Sequence, residues 1–184
     1  MTHGHFDHVG CAERVRRELG IPVYAHENDV PLTRHPWRYD HERPRSLYLL
    51  RRRALPAVAA FTRNRAFVPR AIGDVVRFDD GTLPVPGQPQ VVFTPGHTLG
   101  HCALHLPERD CIIVGDALVT LDPYTGFAGP RLVARAATAD AERNLRSLEA
   151  VAATGAGTVL PGHGPPWTSG AEEAVRLARL AGAA

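Results

Sequence analysis

The chain contains no lysine, few cysteines and no long apolar run. No hydrophobic stretch approaches the roughly 18 residues that a transmembrane helix needs, which excludes a membrane-spanning protein. Cys11, Cys102 and Cys111 are odd in number and lack CxxC spacing. This argues against a disulfide framework or a cysteine-rich zinc site and predicts reduced, buried thiols. No basic and apolar leader precedes the first motif, so we expect a cytoplasmic protein.

Charge is distributed unevenly along the 184 residues, a length that suits one domain. Within residues 34–70, ten arginines and two acids give +8, while elsewhere 11 arginines and 17 acids give −6. The segment can be a solvated helical face, a positively charged lid over an anionic substrate, or a nucleic-acid surface. The overall charge of +2 is too small for a dedicated nucleic-acid binder. The ten arginines are Arg34, Arg38, Arg43, Arg45, Arg51, Arg52, Arg53, Arg63, Arg65 and Arg70.

Alternating helix and strand signals predict a layered α/β fold. We expect a helix over 9–19, a buried strand over 21–25, an antiparallel meander from 75 to 116, a helix at about 140–153, a strand at TVLP and a last helix from about 170. Ser169 and Glu172 have the spacing of a capping box for that last helix. Residues 33–70 look like a helical insertion, with an apolar set of Leu47, Leu49, Leu50, Leu55, Val58 and Phe61.

Residues 2–8, THGHFDH, concentrate groups that bind transition metals. His3 and His5 are two apart on an extended segment and so point to the same side. Asp7 and His8 lie where the chain turns into a helix and can aim at a neighbouring point. Imidazole and carboxylate together fit zinc, iron or manganese.

Three later segments each place one more such group at the end of a predicted strand. They are TPGHTLGH with His97, IIVGDAL with Asp116 and VLPGHGPP with His163. A glycine directly before each of these residues permits a tight turn close to a metal.

These four motifs, in this order, resemble the metallo-β-lactamase-fold superfamily of metallo-hydrolases, over nearly the whole chain. The resemblance implies an αββα sandwich with a binuclear site at one edge of its sheets. It also implies two divalent ions, with Zn²⁺ as the first choice and iron or manganese as alternatives. The implied ligands are His3, His5 and His97 for the first ion, Asp7, His8 and His163 for the second, and Asp116 between them.

The same resemblance implies hydrolysis by a hydroxide that the two metals share. We expect Asp7 to have a second, catalytic role, orienting the water or accepting its proton. His101 and Thr98 are candidates to support the ligands from behind. Tyr124 and Arg131 are candidates for substrate contact.

Within the superfamily, HxHxDH with aspartate at position 116 resembles the glyoxalase II-like branch, which favours thioesters and related acyl compounds. The absence of lysine and of a C-terminal helical domain argues against glyoxalase II itself. β-Lactamase and phosphodiesterase activities fit less well, and lactone hydrolysis stays open. We therefore expect cleavage of an ester, thioester or lactone-type bond in an anionic small molecule, with no nucleic-acid or membrane partner.

The resemblance also predicts that the chain is N-terminally incomplete, because family members carry strands before the first histidine motif. We expect one domain over 1–184 that lacks those strands, with 33–70 as an arginine-rich lid. Unpaired sheet edges would then favour a homodimer. The alternative function is an impaired metal-binding fragment or interaction remnant of such an enzyme.

Overall fold

The computed structural model describes residues 1–48 and 52–184. Within these ranges the helices are α1 Phe6–Val9, α2 Ala12–Leu19, α3 Val30–Arg34, α4 Leu55–Arg63, α5 Ala141–Ala152 and α6 Ala171–Ala181. The strands are β1 Tyr24–His26, β2 Val76–Phe78, β3 Gln90–Phe93, β4 Cys102–Leu106, β5 Cys111–Gly115, β6 Val119–Leu121, β7 Ala128–Arg131 and β8 Thr158–Pro161. No helix in the described part is long and apolar enough to cross a membrane.

The mixed α/β class is confirmed, and its centre is a four-stranded sheet in the order β3-β4-β5-β8. β4 runs antiparallel to both β3 and β5, and β8 runs parallel to β5. Two smaller sheets accompany it, a parallel β1-β2 pair and an antiparallel β6-β7 pair. Since β3, β5 and β8 all run the same way, their carboxyl ends meet at one edge of the central sheet.

The main core lies between the central sheet and helices α5 and α6. Ile112 and Val159 on the sheet and Leu148 on α5 are fully buried in it. Burying side chains of this size stabilises the fold by about 1.5–3 kcal/mol each. This packing fixes the sheet edge at which the candidate ligands gather.

Several local predictions differ from the structure. The helix predicted over 9–19 is two helices with a break after Val9, and the strand predicted over 21–25 begins only at Tyr24. The capping-box prediction is wrong, because Gly170 precedes α6 and no side chain caps it. The prediction of buried thiols is confirmed for Cys102 but is wrong for Cys11, which is exposed, and for Cys111, which is only partly buried.

The segment 33–70 is only partly helical. It holds the end of α3, the helix α4 and two 3₁₀ turns at Arg45–Tyr48 and Arg52–Ala54. The helical positions predicted at Leu49 and Leu50, like Arg51, lie outside the described residues.

Candidate metal centre

The predicted ligands converge because the topology brings strand ends and connecting loops to the same edge. Asp116 follows β5 directly, His163 lies two residues beyond β8, and His97 sits in the loop between β3 and β4. The parallel pairing of β5 with β8 therefore sets Asp116 beside His163.

The first motif reaches this edge through backbone hydrogen bonds. The Cys102 N–H at the start of β4 donates to the Thr2 carbonyl at 2.9 Å. The chain is extended at His5, and α1 begins at Phe6, with the His8 N–H bonding back to the His5 carbonyl at 3.0 Å. His3 and His5 thus precede the helix, whereas His8 lies within it.

One carboxylate oxygen lies at the centre of the arrangement. Asp116 Oδ2 is 3.2 Å from His163 Nε2, 3.4 Å from His8 Nε2, 3.5 Å from His97 Nε2 and 4.0 Å from His3 Nε2. Four imidazoles around one oxygen surround it with groups that bind either protons or metal ions.

The ligand atoms form three sets, and within each set the atoms lie no more than 4.8 Å apart. The sets are His3, His5 and His97; His3, His8 and Asp116; and Asp7, His8 and His163. Together these seven residues form what we call the donor cluster. The structure thus places all seven predicted ligands together, although their roles towards particular ions stay predictions.

Several buried atoms of the donor cluster have no hydrogen-bond partner. They are His3 Nε2, His5 Nε2, His8 Nε2 and Asp116 Oδ1. Buried polar atoms are normally satisfied, because leaving one unpaired costs about 1–3 kcal/mol. Cations bound between such atoms would satisfy them, and imidazole with carboxylate is a donor set that suits transition metals. The residues present therefore fit a metal centre.

Gly162 keeps the Asp116 side chain in place by having no side chain of its own. A Cβ at this position would lie 2.1 Å from Asp116 Oδ1 and 2.7 Å from His8 Cε1. Gly96 has a φ of +136°, and a Cβ there would meet the Asn144 backbone nitrogen at 2.2 Å. These two glycines make room for the Asp116 side chain and for α5, and the predicted close approach of backbone to a metal stays a prediction.

Burial keeps three of the histidines neutral. It lowers the pKa of His3 and His5 well below the usual range, and it lowers the pKa of His97 to about 4. Neutral imidazole carries the free lone pair that a metal requires.

Burial opposes the charged forms of Asp116 and His163, but their mutual attraction sets the direction of both pKa shifts. Burial by itself raises the pKa of Asp116, but His163 and His8 outweigh it and hold that pKa well below its usual range. Burial also disfavours protonation of His163, yet Asp116 and Asp7 prevail and raise its pKa to about 11. The carboxylate of Asp116 is therefore stabilised by a positive charge beside it, which either protonated His163 or a bound cation can supply.

Asp29 ties the two ligand loops together from behind. Its Oδ2 accepts hydrogen bonds from the Gly4 N–H and the Thr98 hydroxyl, both at 2.8 Å, and its Oδ1 accepts from the Gly100 N–H at 2.8 Å. Gly4 separates His3 from His5, while Thr98 follows His97. One buried carboxylate thus sets the distance between the first motif and the His97 loop.

Asp29 was not predicted from the sequence. It precedes α3 and a proline at the start of that helix, which is the pattern of an ordinary helix cap. Its side chain makes no capping bond and turns instead to the ligand loops. No signal in the sequence distinguishes these two uses.

His101 supports Asp116 through the backbone. The Asp116 N–H donates to His101 Nε2 at 3.1 Å, so the proton of a neutral ring lies on Nδ1 and donates to Thr94 Oγ1 at 2.8 Å. Burial lowers the pKa of His101 well below its usual range, which favours this neutral form. The geometry suits the supporting role that we predicted for His101.

The two predicted substrate residues lie in different surroundings. Tyr124 faces a small cavity that Asp7, Asp116 and His163 also line. Arg131 bonds back to the Ala128 and Gly129 carbonyls of its own strand, at 3.1 and 3.3 Å, and lines neither that cavity nor the larger apolar one next to it.

The fold and the donor cluster define an α/β protein with a histidine- and aspartate-lined metal centre at one sheet edge. A model of the metallo-beta-lactamase superfamily matches residues 1–163. The chain belongs to the metallo-beta-lactamase superfamily, in agreement with the four motifs.

Relatives of known name are similar at low identity. The probable metallo-hydrolase YflN of Bacillus subtilis is 28% identical over 177 residues, 91% of this chain and 64% of that protein. The hydroxyacylglutathione hydrolase of Maricaulis maris is 29% identical over 128 residues, 70% of this chain and 36% of that protein. The chain thus spans about one third to two thirds of these relatives.

A solved structure gives the same fold. The crystal structure of TTHA1623 in a di-iron-bound form superposes with a TM-score of 0.59 at 29% identity, covering 91% of this chain and 70% of that one. The metallo-beta-lactamase fold is therefore confirmed at the level of architecture as well as sequence.

Proposed function

We propose that this protein is a metal-dependent hydrolase that cleaves an ester, thioester or lactone-type bond. The observation that carries the proposal is the position of Asp116 Oδ2, within 4.0 Å of imidazole nitrogens from four histidines. These histidines come from three separate segments of the chain. Their convergence on one carboxylate oxygen is what we expect if Asp116 is a ligand that two metal ions share.

The donor cluster divides into two groups around that oxygen. His3, His5 and His97 would hold one divalent ion, and Asp7, His8 and His163 would hold a second. Asp116 would contact both. When bound, the ions would supply Lewis-acid polarisation of the scissile carbonyl and an activated water nucleophile.

The cluster also contains a group suited to moving a proton. Asp7 Oδ2 lies 3.3 Å from His163 Nε2, and the Asp7 side chain is 11% exposed and faces the small cavity beside the ligands. A carboxylate that both borders the cavity and contacts a ligand can accept a proton from water during attack. We therefore assign this role to Asp7 in addition to its place among the ligands.

Zinc is our first choice of metal, with iron and manganese as alternatives, since neutral imidazole and carboxylate accommodate all three. The di-iron form of the similar TTHA1623 supports iron as a real alternative. The similarity to a hydroxyacylglutathione hydrolase supports acyl thioesters among the candidate substrates.

A metal-exchange experiment tests the proposal. The protein is stripped with a chelator, reloaded separately with Zn²⁺, Fe²⁺ or Mn²⁺, and assayed on small acetyl esters, acetyl thioesters and a γ-lactone. We expect turnover of one bond class to vanish on stripping and to return with at least one metal. If no reloaded form turned over any of the three bond classes, the hydrolase proposal would be wrong.

A further inference from the structure

An apolar cavity of about 190 Å³ opens beside the donor cluster. It shares five wall residues with the small cavity that Asp7, Asp116 and His163 line, so the two spaces lie side by side. The shared residues are Phe6, Tyr39, Phe61, Pro123 and Tyr124. We call the larger space the aromatic cavity.

The aromatic cavity begins next to the metal ligands themselves. The ring of Tyr39 lies 4.0 Å from the ring of His5, and the ring of Phe61 lies 6.0 Å from that of His163, measured between centroids. Phe6 stands between His5 and Asp7 in the first motif and is only 5% exposed. A group in the cavity would therefore be a few bonds from a carbonyl held at the donor cluster.

Stacked rings give the cavity firm walls. Phe6 stacks on Trp37 at 4.1 Å with 8° between the ring planes, and Phe67 lies 5.7 Å from Phe6 on a nearly parallel plane. Phe61, on α4, meets both Phe6 and Phe67 edge to face. Such contacts hold aromatic side chains in defined positions, so the walls of the cavity are ordered.

The volume indicates the size of the occupant. Apolar cavities of about 150 Å³ accept benzene. A space of about 190 Å³ therefore suits one aromatic ring or an alkyl chain of similar bulk.

Arg45 adds a positive charge to this otherwise apolar wall. Its guanidinium carbon lies 4.3 Å from the ring centre of Tyr39, and its buried Nε has no hydrogen-bond partner. One terminal nitrogen makes a long bond of 3.5 Å to the Trp37 carbonyl. Within residues 1–48 and 52–184, none of the arginine–carboxylate ion pairs includes Arg45. An unpaired guanidinium at an apolar wall is a ready partner for an anionic group of a ligand.

Arg45 differs from the other arginines of the segment 34–70. Among the described ones whose exposure is known, it alone is partly buried, and it alone lines the aromatic cavity. The positive segment that we read as a lid therefore contributes one defined charge to the site.

We propose that the aromatic cavity binds the acyl group of the substrate, and that Arg45 pairs with a carboxylate at the far end of that group. The substrate class would be monoesters or monothioesters of dicarboxylic acids, with an apolar middle the size of a ring or short chain. This inference rests on the proposed hydrolase function and specifies its substrate.

A matched series of thioesters tests the inference. N-acetylcysteamine thioesters supply one small leaving group, with acetyl, straight-chain acyl and dicarboxylic monoacyl groups of four to eight carbons. We expect kcat/KM to rise by up to about fourfold per added methylene until the cavity is full. At matched length, we expect dicarboxylic acyl groups to be favoured about tenfold over neutral ones.

Two substitutions probe the two halves of the cavity. Ala57→Phe, on the cavity side of α4, should lower the ratio of hexanoyl to acetyl turnover at least tenfold by filling the space. Arg45→Gln should abolish the preference for dicarboxylic over neutral acyl groups. The matched controls are Ala59→Phe, exposed on the same helix and outside the cavity lining, and Arg63→Gln, also exposed on α4. Both controls should leave the two ratios within twofold of wild type.

Binding of adipate and hexanoate, followed by ligand-detected NMR, separates the two proposals. If no thioester were cleaved, but adipate bound to the wild type and not to Ala57→Phe, the hydrolase proposal would fail and the acyl site would stand. If acetyl thioester were cleaved but turnover did not depend on acyl length, or if Arg45→Gln kept the dicarboxylic preference, the acyl-site inference would be overturned.

Discussion

The donor cluster and the aromatic cavity lie side by side but are built in different ways. The donor cluster draws its residues from four separate segments and holds them with buried hydrogen bonds, as Asp29 and His101 show. The aromatic cavity takes much of its wall from residues 37–67 and is held by ring stacking with partly exposed side chains.

Because of this difference, we expect the donor cluster to set the overall turnover and the aromatic cavity to set the preference among substrates. A change in the donor cluster disturbs a network in which each buried group depends on the others, so it should affect every substrate alike. A change in the aromatic cavity alters the fit of one substrate relative to another and should leave the metal content intact. Substitutions in the two regions should therefore differ in the kind of effect as well as in its size.

The largest effect is expected at Asp116. Asp116→Ala removes the oxygen that faces four imidazoles, and we expect at least about a 10³-fold loss of kcat/KM, since such ligands contribute several kcal/mol to the transition state. Metal content, measured by mass spectrometry, should fall by about one equivalent. The exposed Asp80→Ala is the control. Wild-type turnover in Asp116→Ala would rule out a shared metal ligand.

Adding a methyl group at Gly162, in the neighbouring loop, should reproduce part of that loss. Gly162→Ala places a methyl carbon 2.1 Å from Asp116 Oδ1, so the Asp116 side chain must shift. We expect weaker metal binding and a loss of turnover for all acyl groups alike, with little change in the ratio between substrates. A changed ratio with full metal content would mean that the two regions are not separable.

Asp29 should affect metal binding only by holding the two ligand loops in position. Asp29→Asn replaces one accepting oxygen with an NH₂ group opposite N–H or O–H donors, and we expect a roughly 10- to 100-fold loss of metal affinity. Thermal unfolding should also occur at lower temperature, because buried donors lose their partner. Equilibrium dialysis and a melting curve provide the two readings, with Asp80→Asn as the control. Unchanged metal affinity would refute the positioning role.

The smallest effect is expected at Arg131. Its guanidinium bonds to carbonyls of its own strand and borders neither cavity, so Arg131→Gln should change no acyl preference by more than about twofold. The thioester series measures this directly. A selective loss of dicarboxylic substrates in this variant would move the anion site away from Arg45.

The metal ligands could be predicted from the sequence better than the residues that position them or the aromatic residues that line the cavity. His97, Asp116 and His163 could be predicted because metal ligands need particular residue types, and strand ends place those residues at one edge. Asp29 could not, because its role depends on a distance between two loops that no local pattern records. Tyr39 and Phe61 could not either, since aromatic residues at irregular spacing become a cavity wall only after the segment folds against α1.

The central claim, that the donor cluster holds two ions which act together in hydrolysis, is tested most directly by titration. Stripped wild-type protein is titrated with Zn²⁺ while bound metal and acetyl thioester turnover are measured on the same samples. We expect binding to saturate near two ions per chain, with most of the turnover appearing as the second ion binds. Full turnover at one ion per chain, or saturation without turnover of any acyl thioester, ester or lactone, would contradict this account.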